Sequence, residues 1–256
     1  MGSAEPLLVV RDIHTYYGDS YVLQGMGLTL ASGQIVAILG RNGMGKTTLI
    51  RSIAGLTPPR RGEISFRGSA IHDLAPFEIA QLGIALVPQG RRIFRSLTVR
   101  ENLLLPTSAL ARASRRPADR RGRRKEWSFE EVLDEFPQLR ERLENAGGAL
   151  SGGEQQMLAL GRALMANPDL ILMDEPSEGL SPRYVQRVGE IMRGARSHGH
   201  GILLVEQNLE LALAVADYIY VVSSGRFVFE GMPAQLSAQA EVLDEHLGVS
   251  ASRAQQ

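Results

Sequence analysis

Gly40-Arg41-Asn42-Gly43-Met44-Gly45-Lys46-Thr47-Thr48 fits the phosphate-binding loop pattern G-x-x-x-x-G-K-[ST] at every required position. The glycines let successive backbone N–H groups curl around an anion, where a Cβ would crowd both loop and phosphate. In this pattern Lys46 reaches the β- and γ-phosphates, and the Thr47 hydroxyl ligates the Mg²⁺ that accompanies them. The flanks agree. Gln34 to Leu39 (QIVAIL) is a short apolar run of strand type, and Thr47 to Leu56 has helical character and opens directly on the loop. The start of that helix adds about half a positive charge facing the phosphates. A chance glycine turn is the bland alternative, and it explains neither the anchors nor the flanks. Of 28 Lys plus Arg, only Lys46 and Lys125 are lysines. Where nearly every cation is Arg, a lysine here suggests that a compact ammonium is needed and a guanidinium fork would not fit.

Upstream of the loop, Leu7 to Ile13 reads as a strand that ends at His14-Thr15-Tyr16-Tyr17-Gly18-Asp19. The two tyrosines either pack or offer an aromatic face on which a purine stacks. Downstream, Pro58-Pro59-Arg60-Arg61-Gly62 forms a rigid turn, and Glu63 to Arg67 alternates as a half-buried antiparallel strand should. Ile84 to Val87 reads as a buried strand that stops at Pro88-Gln89-Gly90. Ligands of α/β sheets sit at the carboxyl ends of strands. Gln89 is therefore a candidate to touch Mg²⁺ or the attacking water, with a plain polar turn residue as its rival.

From Phe94 to Ala146 the chain is helical, charged and punctuated by proline, and reads as a helical subdomain inserted in the α/β core. Thr98-x-x-Glu101 and Ser128-x-x-Glu131 are capping boxes, the first for a helix through Leu105. Phe94 and Leu97 beside arginines suggest either a protein contact or satellite core packing. Arg112 to Lys125 holds eight basic residues and one acid, which reads as a solvated loop, with attraction to anionic lipid as the alternative. Leu150-Ser151-Gly152-Gly153-Glu154 combines a third capping box with two glycines. Those glycines cost helix stability and expose N–H groups at the helix start, an arrangement that suits an anion.

Asp169 to Met173 (DLILM) is a continuous apolar strand followed by Asp174-Glu175-Pro176. Two adjacent carboxylates at a strand end divide the work: Asp174 orients Mg²⁺, and Glu175 polarises a water toward the γ-phosphate. An ordinary acid pair at a turn is the rival reading. Ile202 to Val205 is another buried strand, ending at Glu206-Gln207-Asn208, and the chain closes with strands Tyr218 to Val222 and Arg226 to Glu230 and a short helix up to about Leu247.

The whole chain bounds these readings. At 256 residues with 44% hydrophobic and 22% charged content it has the composition of a soluble globular protein. Zero formal net charge argues against nucleic acid as the dominant partner of the whole surface, and the absence of cysteine excludes disulfides and thiolate chemistry. Neither a secretory signal nor an apolar run of roughly 18 residues is visible. The expected location is cytosolic, with a partner bringing the chain to any membrane.

Phosphate loop, Gln89, LSGGE, Asp174-Glu175 and the following Ser177-Glu178-Gly179-Leu180 occur in the order of an ABC-transporter ATPase, which the chain resembles over nearly its whole length. GRNGMGKTT, VPQGRR-F, LTVRENL, LSGGEQQML-LGRALM and LVEQN are similar to the ATP-binding subunits of branched-chain amino-acid importers, and nearly as similar to those of urea importers. The resemblance implies an α/β P-loop NTPase (RecA-like) core with an antiparallel β subdomain and an inserted helical subdomain at about 94–165, all within an ATP-binding domain at 6–240, with 241–256 as a tail. It implies ATP and Mg²⁺ as ligands, with Thr47, Gln89 and Asp174 near the metal. Tyr17 resembles the adenine-stacking aromatic, and Gln89 the residue linking nucleotide to the membrane subunit, whose coupling helix would lie near Phe94. Ser151, Gly152, Gly153 and Glu154 would close the site of a second ATPase subunit, giving two ATP molecules sandwiched head to tail. Further implied partners are polytopic membrane permease subunits and a separate solute-binding protein, with the chain peripheral on the cytoplasmic side of the inner membrane and no nucleic acid. Two positions depart from the family: Gln207 stands where most members have a switch histidine, and Ser181 where an Asp is usual. Gln207 can hydrogen-bond a γ-phosphate but cannot titrate.

Overall fold

Strand β3 (Ile35–Leu39) is the axis of the molecule, because its five apolar residues are buried on both faces. Ile35, Ala37 and Leu39 belong to one hydrophobic cluster, and Val36 and Ile38 to another on the opposite side. The computed structural model describes residues 6–112 and 126–248, so the basic stretch lies outside the described residues apart from the backbone at its first residue.

Before β3 come two long antiparallel strands, β1 (Leu8–Tyr17) and β2 (Ser20–Leu30). After it come α1 (Lys46–Ile53), β4 (Arg61–Phe66), β5 (Ser69–Ala70), α2 (Pro76–Gln81) and β6 (Ile84–Val87). The helical segment follows with α3 (Val99–Arg112), α4 (Phe129–Glu135), α5 (Pro137–Arg140) and α6 (Gly152–Met165). The chain returns to the sheet through β7 (Leu170–Asp174), α7 (Pro182–Ser197), β8 (Gly201–Glu206), α8 (Leu209–Val215), β9 (Tyr218–Ser223) and β10 (Arg226–Gly231). A helix, α9 (Pro233–Ser237), and helical turns over 240–247 finish the described chain.

These strands make two sheets. The central one has the order β10-β9-β3-β8-β7-β6, parallel except for the β9–β10 hairpin. The other is antiparallel, in the order β2-β1-β4-β5. One cluster packs α3, α6, α7 and α8 against one face of the central sheet, and the second fills the space between the opposite face, α1 and the antiparallel sheet. Strands β7 and β8 repeat the alternation of β3, with Ile171 and Ile202 on the first face and Leu172 and Leu203 on the second. The α/β core, antiparallel sheet and helical segment expected from sequence are all present.

Several boundaries differ from the sequence reading. Strand β1 continues past Ile13 to Tyr17, accommodated by register shifts next to Asp12, whose φ is +46°. Helix α1 ends at Ile53, three residues early, because Gly55 takes φ +72° just beyond it. Strand β6 lies at the sheet edge and is buried only at its two ends. Helix α3 runs through Pro106 to Arg112 where a stop at Leu105 is expected. Its capping box forms, with Glu101 Oε2 accepting from the Thr98 amide at 2.7 Å.

Candidate functional site

The carboxyl ends of β3, β6, β7 and β8 lie along one edge of the parallel sheet, and each delivers part of the site. The loop after β3 needs its glycines. A Cβ on Gly40 would lie 2.5 Å from the Val222 carbonyl oxygen, and Gly45 caps α1 with φ +103°. Gly43 also takes positive φ. The loop is tied to the β9–β10 turn through Met44, whose carbonyl accepts from the Gly225 amide at 3.2 Å and whose sulfur faces the Ser224 amide at 3.2 Å.

Lys46, the first residue of α1, is buried. Its ammonium donates to the carbonyls of Gly40 (2.8 Å) and Arg41 (3.1 Å) and pairs with Glu175 Oε1 at 3.1 Å. Next to it the Thr47 hydroxyl donates to Asp174 Oδ1 at 3.1 Å. A hydroxyl and a carboxylate in contact beside a phosphate loop are hard oxygen donors of the kind Mg²⁺ takes together with substrate phosphates. Burial pushes the Asp174 carboxyl up, and the neighbouring Glu175 adds to this, against the lowering effect of the Thr47 hydrogen bond and of Lys46. Thr48 is buried in the same first turn of α1.

Glu175 is where the site converges. Its Oε2 accepts from Gln207 Nε2 at 2.8 Å and from Gln89 Nε2 at 3.3 Å, while Oε1 faces Lys46. It holds φ +48° immediately before Pro176, a backbone region that non-glycine residues rarely adopt and that a following proline disfavours further. Strain of this kind, about 1–3 kcal/mol, persists where surrounding contacts over-determine it. Gln89 also donates to Glu178 Oε2 at 3.0 Å. An open cavity of about 470 Å³ lies between Gly40, Arg41, Asn42 and Met44 on one side and Gln207 and Leu247 on the other.

Tyr17 stands at the end of β1, 45% exposed. Burial pushes its phenol up, but hydrogen bonding with Thr57 and Thr48 and the charge of Arg51 outweigh this and leave it below the ordinary tyrosine value. Those partners put Tyr17 beside α1. Arg60 donates to the Gly18 carbonyl at 2.6 Å and lies over the Tyr16 ring, so the turn that carries Tyr17 is held from a second direction.

Ser151 to Glu154 form a separate group. Ser151 caps α6, its amide donating to Glu154 Oε2 at 2.8 Å, and Arg142 pairs with Glu154 at 3.2 Å. A Cβ on Gly152 would fall 2.2 Å from Arg91 Nη1, and one on Gly153 would strike the Tyr184 ring at 2.4 Å. The Tyr184 ring thus restricts position 153 independently of any anion, whereas at position 152 the Arg91 guanidinium, the end of a flexible side chain, can move aside. Arg91 also donates to the Gly179 carbonyl at 3.1 Å, which braces this helix start against the segment after Glu175. Phe94 is exposed as expected, whereas Leu97 is partly buried.

Arg91, Glu178 and Glu206 take part in the site without having been singled out for it by residue pattern. Glu206 had a signal: a charged residue ends an otherwise apolar strand, and it is buried there. No helix among the described residues is long and apolar enough to cross a membrane.

Comparison with known proteins places this arrangement. A family model described as ABC transporter matches residues 23–178. The chain is 39% identical over 242 residues to the high-affinity branched-chain amino acid transport ATP-binding protein BraG of Pseudomonas aeruginosa, covering 94% of this chain and all of the relative. It is 35% identical to the lipopolysaccharide export system ATP-binding protein LptB of Haemophilus influenzae, covering 94% and 97% of the two chains. Among solved structures, an ATP-binding subunit of an ABC transporter superposes with a TM-score of 0.78 at 29% identity, covering 97% of both chains.

Proposed function

The chain belongs to the ABC transporter family of ATPases, and on that premise we propose that it is the ATP-hydrolysing subunit of an importer for branched-chain or related amino acids. The observation that carries the importer reading is the 39% identity to BraG over that relative's entire length. In this reading residues 6–240 are the ATP-binding domain, with 94–165 as its helical subdomain. The chain works at the cytoplasmic face of the inner membrane, beside permease subunits, a second ATPase subunit and a separate solute-binding protein.

The geometry supports a division of labour within the site. Tyr17 stacks the adenine, the amides from Gly40 to Thr48 hold the phosphates, and Lys46 neutralises them. Thr47 and Asp174, with Gln89, would hold Mg²⁺, which would supply charge neutralisation for the phosphates. Glu175 takes a proton from the attacking water. Gln207 and Gln89 orient that carboxylate through the bonds their amides donate. A phosphate that recruits Lys46 competes with the 3.1 Å contact to Glu175, so binding substrate frees the base. Ser151 to Glu154 have Arg91, Tyr184 and Arg142 as neighbours. In this reading they complete the site of a second copy or a related ATPase.

The export reading rests on the 35% identity to LptB. One experiment separates the two. The chain is purified with its co-isolated membrane subunits and reconstituted into proteoliposomes, and ATP turnover is measured with and without a solute-binding protein loaded with leucine. Stimulation by the loaded protein supports import. Stimulation by lipopolysaccharide in its place would overturn it.

A further inference from the structure

We infer that Glu206 is a positioning residue for ATP hydrolysis, its buried carboxylate latching the loop that carries Gln207 to the turn that carries Glu175. This rests on the proposed roles of Glu175 and Gln207. Glu206 is the last residue of β8 and 2% exposed. Its Oε1 accepts from the Ser177 amide at 3.0 Å, and its Oε2 accepts from the amides of Gln207 (3.0 Å) and Asn208 (3.1 Å). Three backbone donors thus converge on one side chain, and no Lys or Arg among the described residues pairs with it.

The position would ordinarily be apolar. In β8, Ile202 and Leu204 face the cluster that contains α7 and α8, and the two-residue period puts Glu206 on the same face. A leucine would continue that face without the penalty of burying a charge. Burial does push the Glu206 carboxyl up, against the lowering effect of its hydrogen bonds. What the carboxylate offers there is its two acceptor oxygens.

What those oxygens hold explains the consequence. Ser177 follows Glu175 by two residues, across Pro176, and the left-handed backbone of Glu175 is held from both ends. One end is fixed by the Glu175 amide donating to the Val205 carbonyl at 2.9 Å. The other is fixed by Ser177 on Glu206. The same carboxylate fixes the backbone of Gln207, whose side chain meets Glu175 at 2.8 Å. Lys46 and Thr47 make no hydrogen bond to Glu206, and Lys46 meets the latched turn through its ion pair with Glu175. Loosening the latch should therefore disturb the pair that acts on water far more than the binding of nucleotide.

The test uses the purified full chain with Mg²⁺ and ATP, comparing Glu206→Gln, Gln207→Ala, the double variant and Glu175→Gln. Glutamine keeps the shape but replaces one acceptor oxygen by an NH₂ group, which must face at least one of the three donors. Glu206→Gln should lower kcat about tenfold or more while KM for ATP stays within about threefold, because a small misplacement near the reacting atoms is costly. In the double variant the second substitution should add less than about threefold, since both act through the same side chain. If Glu175→Gln stops turnover while Glu206→Gln stays within about twofold of wild type, the latch is overturned and the site reading stands. A rise in KM that accounts for the whole loss, or full additivity with Gln207→Ala, also overturns it. Should Glu175→Gln turn over like wild type, the site reading itself fails. Should Glu206→Gln not fold, hydrogen exchange on the wild-type chain decides. Amides of Ser177, Gln207 and Asn208 as protected as those of β8 support the latch, and unprotected exchange removes it.

Discussion

Glu175 carries most of the chemistry that one residue can carry here, and its surroundings say what each substitution should do. Glu175→Gln keeps the shape that Gln207 and Gln89 grip but removes the base. Single-turnover measurements should show hydrolysis slowed by roughly 10²–10⁴-fold, with ATP-bound pairs of chains accumulating. Gln207 sets the pH behaviour. A side chain without a titrating group should give a turnover profile lacking a histidine step near about pH 6.5, and Gln207→His should introduce one. Asp174 sets the acid limit. Burial holds its carboxyl above the ordinary aspartate value of 3.8, so the protonated form is favoured in the folded chain relative to the unfolded one. The stability that follows is present below the unfolded value and is lost as pH rises through the folded one. Function runs the other way, because only the carboxylate takes a cation. A bound cation favours the carboxylate and opposes that shift, so the Mg²⁺ concentration giving half-maximal turnover should rise as pH falls. Asp174→Asn should abolish Mg²⁺-dependent turnover and raise Tm at pH 7, as seen by calorimetry.

At the scale of elements, what reads from sequence is what has one physical cause. Strands β3, β7 and β8 are continuous apolar runs because helices or the second sheet cover both faces, and their limits are legible to within a residue. Capping boxes at Thr98, Ser128 and Ser151 are equally legible, since in each two side chains at fixed spacing accept from one another's backbone amides. Ser128→Ala should therefore destabilise α4 by about 1 kcal/mol, measurable as a shift in urea midpoint with unchanged slope. Strand β2 is hidden because Gly25 and Gly27 imitate turn signals inside it. In the structure Gly25 takes φ +78°, and a Cβ on Gly27 would lie 3.3 Å from the Val10 carbonyl oxygen. The length of α3 is hidden by Pro106. At the site, loop and acid pair are legible because residue type dictates their chemistry. The Glu206 latch is not, because apart from the Ser177 side chain its partners are backbone amides that leave no trace in residue identity.

At the scale of the whole molecule, the open question is what covers the face where Gly40 to Asn42 and Gln207 line a cavity. One chain offers a phosphate loop at one place and an exposed capped helix start at Ser151 at another, the second packed on Arg91 and Tyr184. A head-to-tail pair would place each beside the other twice, a closed two-fold arrangement in which neither half is left unused. This predicts a complementation pattern. Lys46→Ala disables the loop but leaves its chain's helix start intact, and Ser151→Arg does the reverse. Each variant alone should fail to turn over ATP, since every composite site then carries one defect. Mixed in equal amounts, half of the pairs contain both variants, and each such pair has one site built only from intact parts. Turnover should therefore return to about a quarter of wild type at most, on the two-fold geometry. A mixture that stays silent while the variants demonstrably pair would exclude independent composite sites. Full activity in Ser151→Arg alone would show that the helix start serves no nucleotide, leaving Gly153 to its packing against the Tyr184 ring.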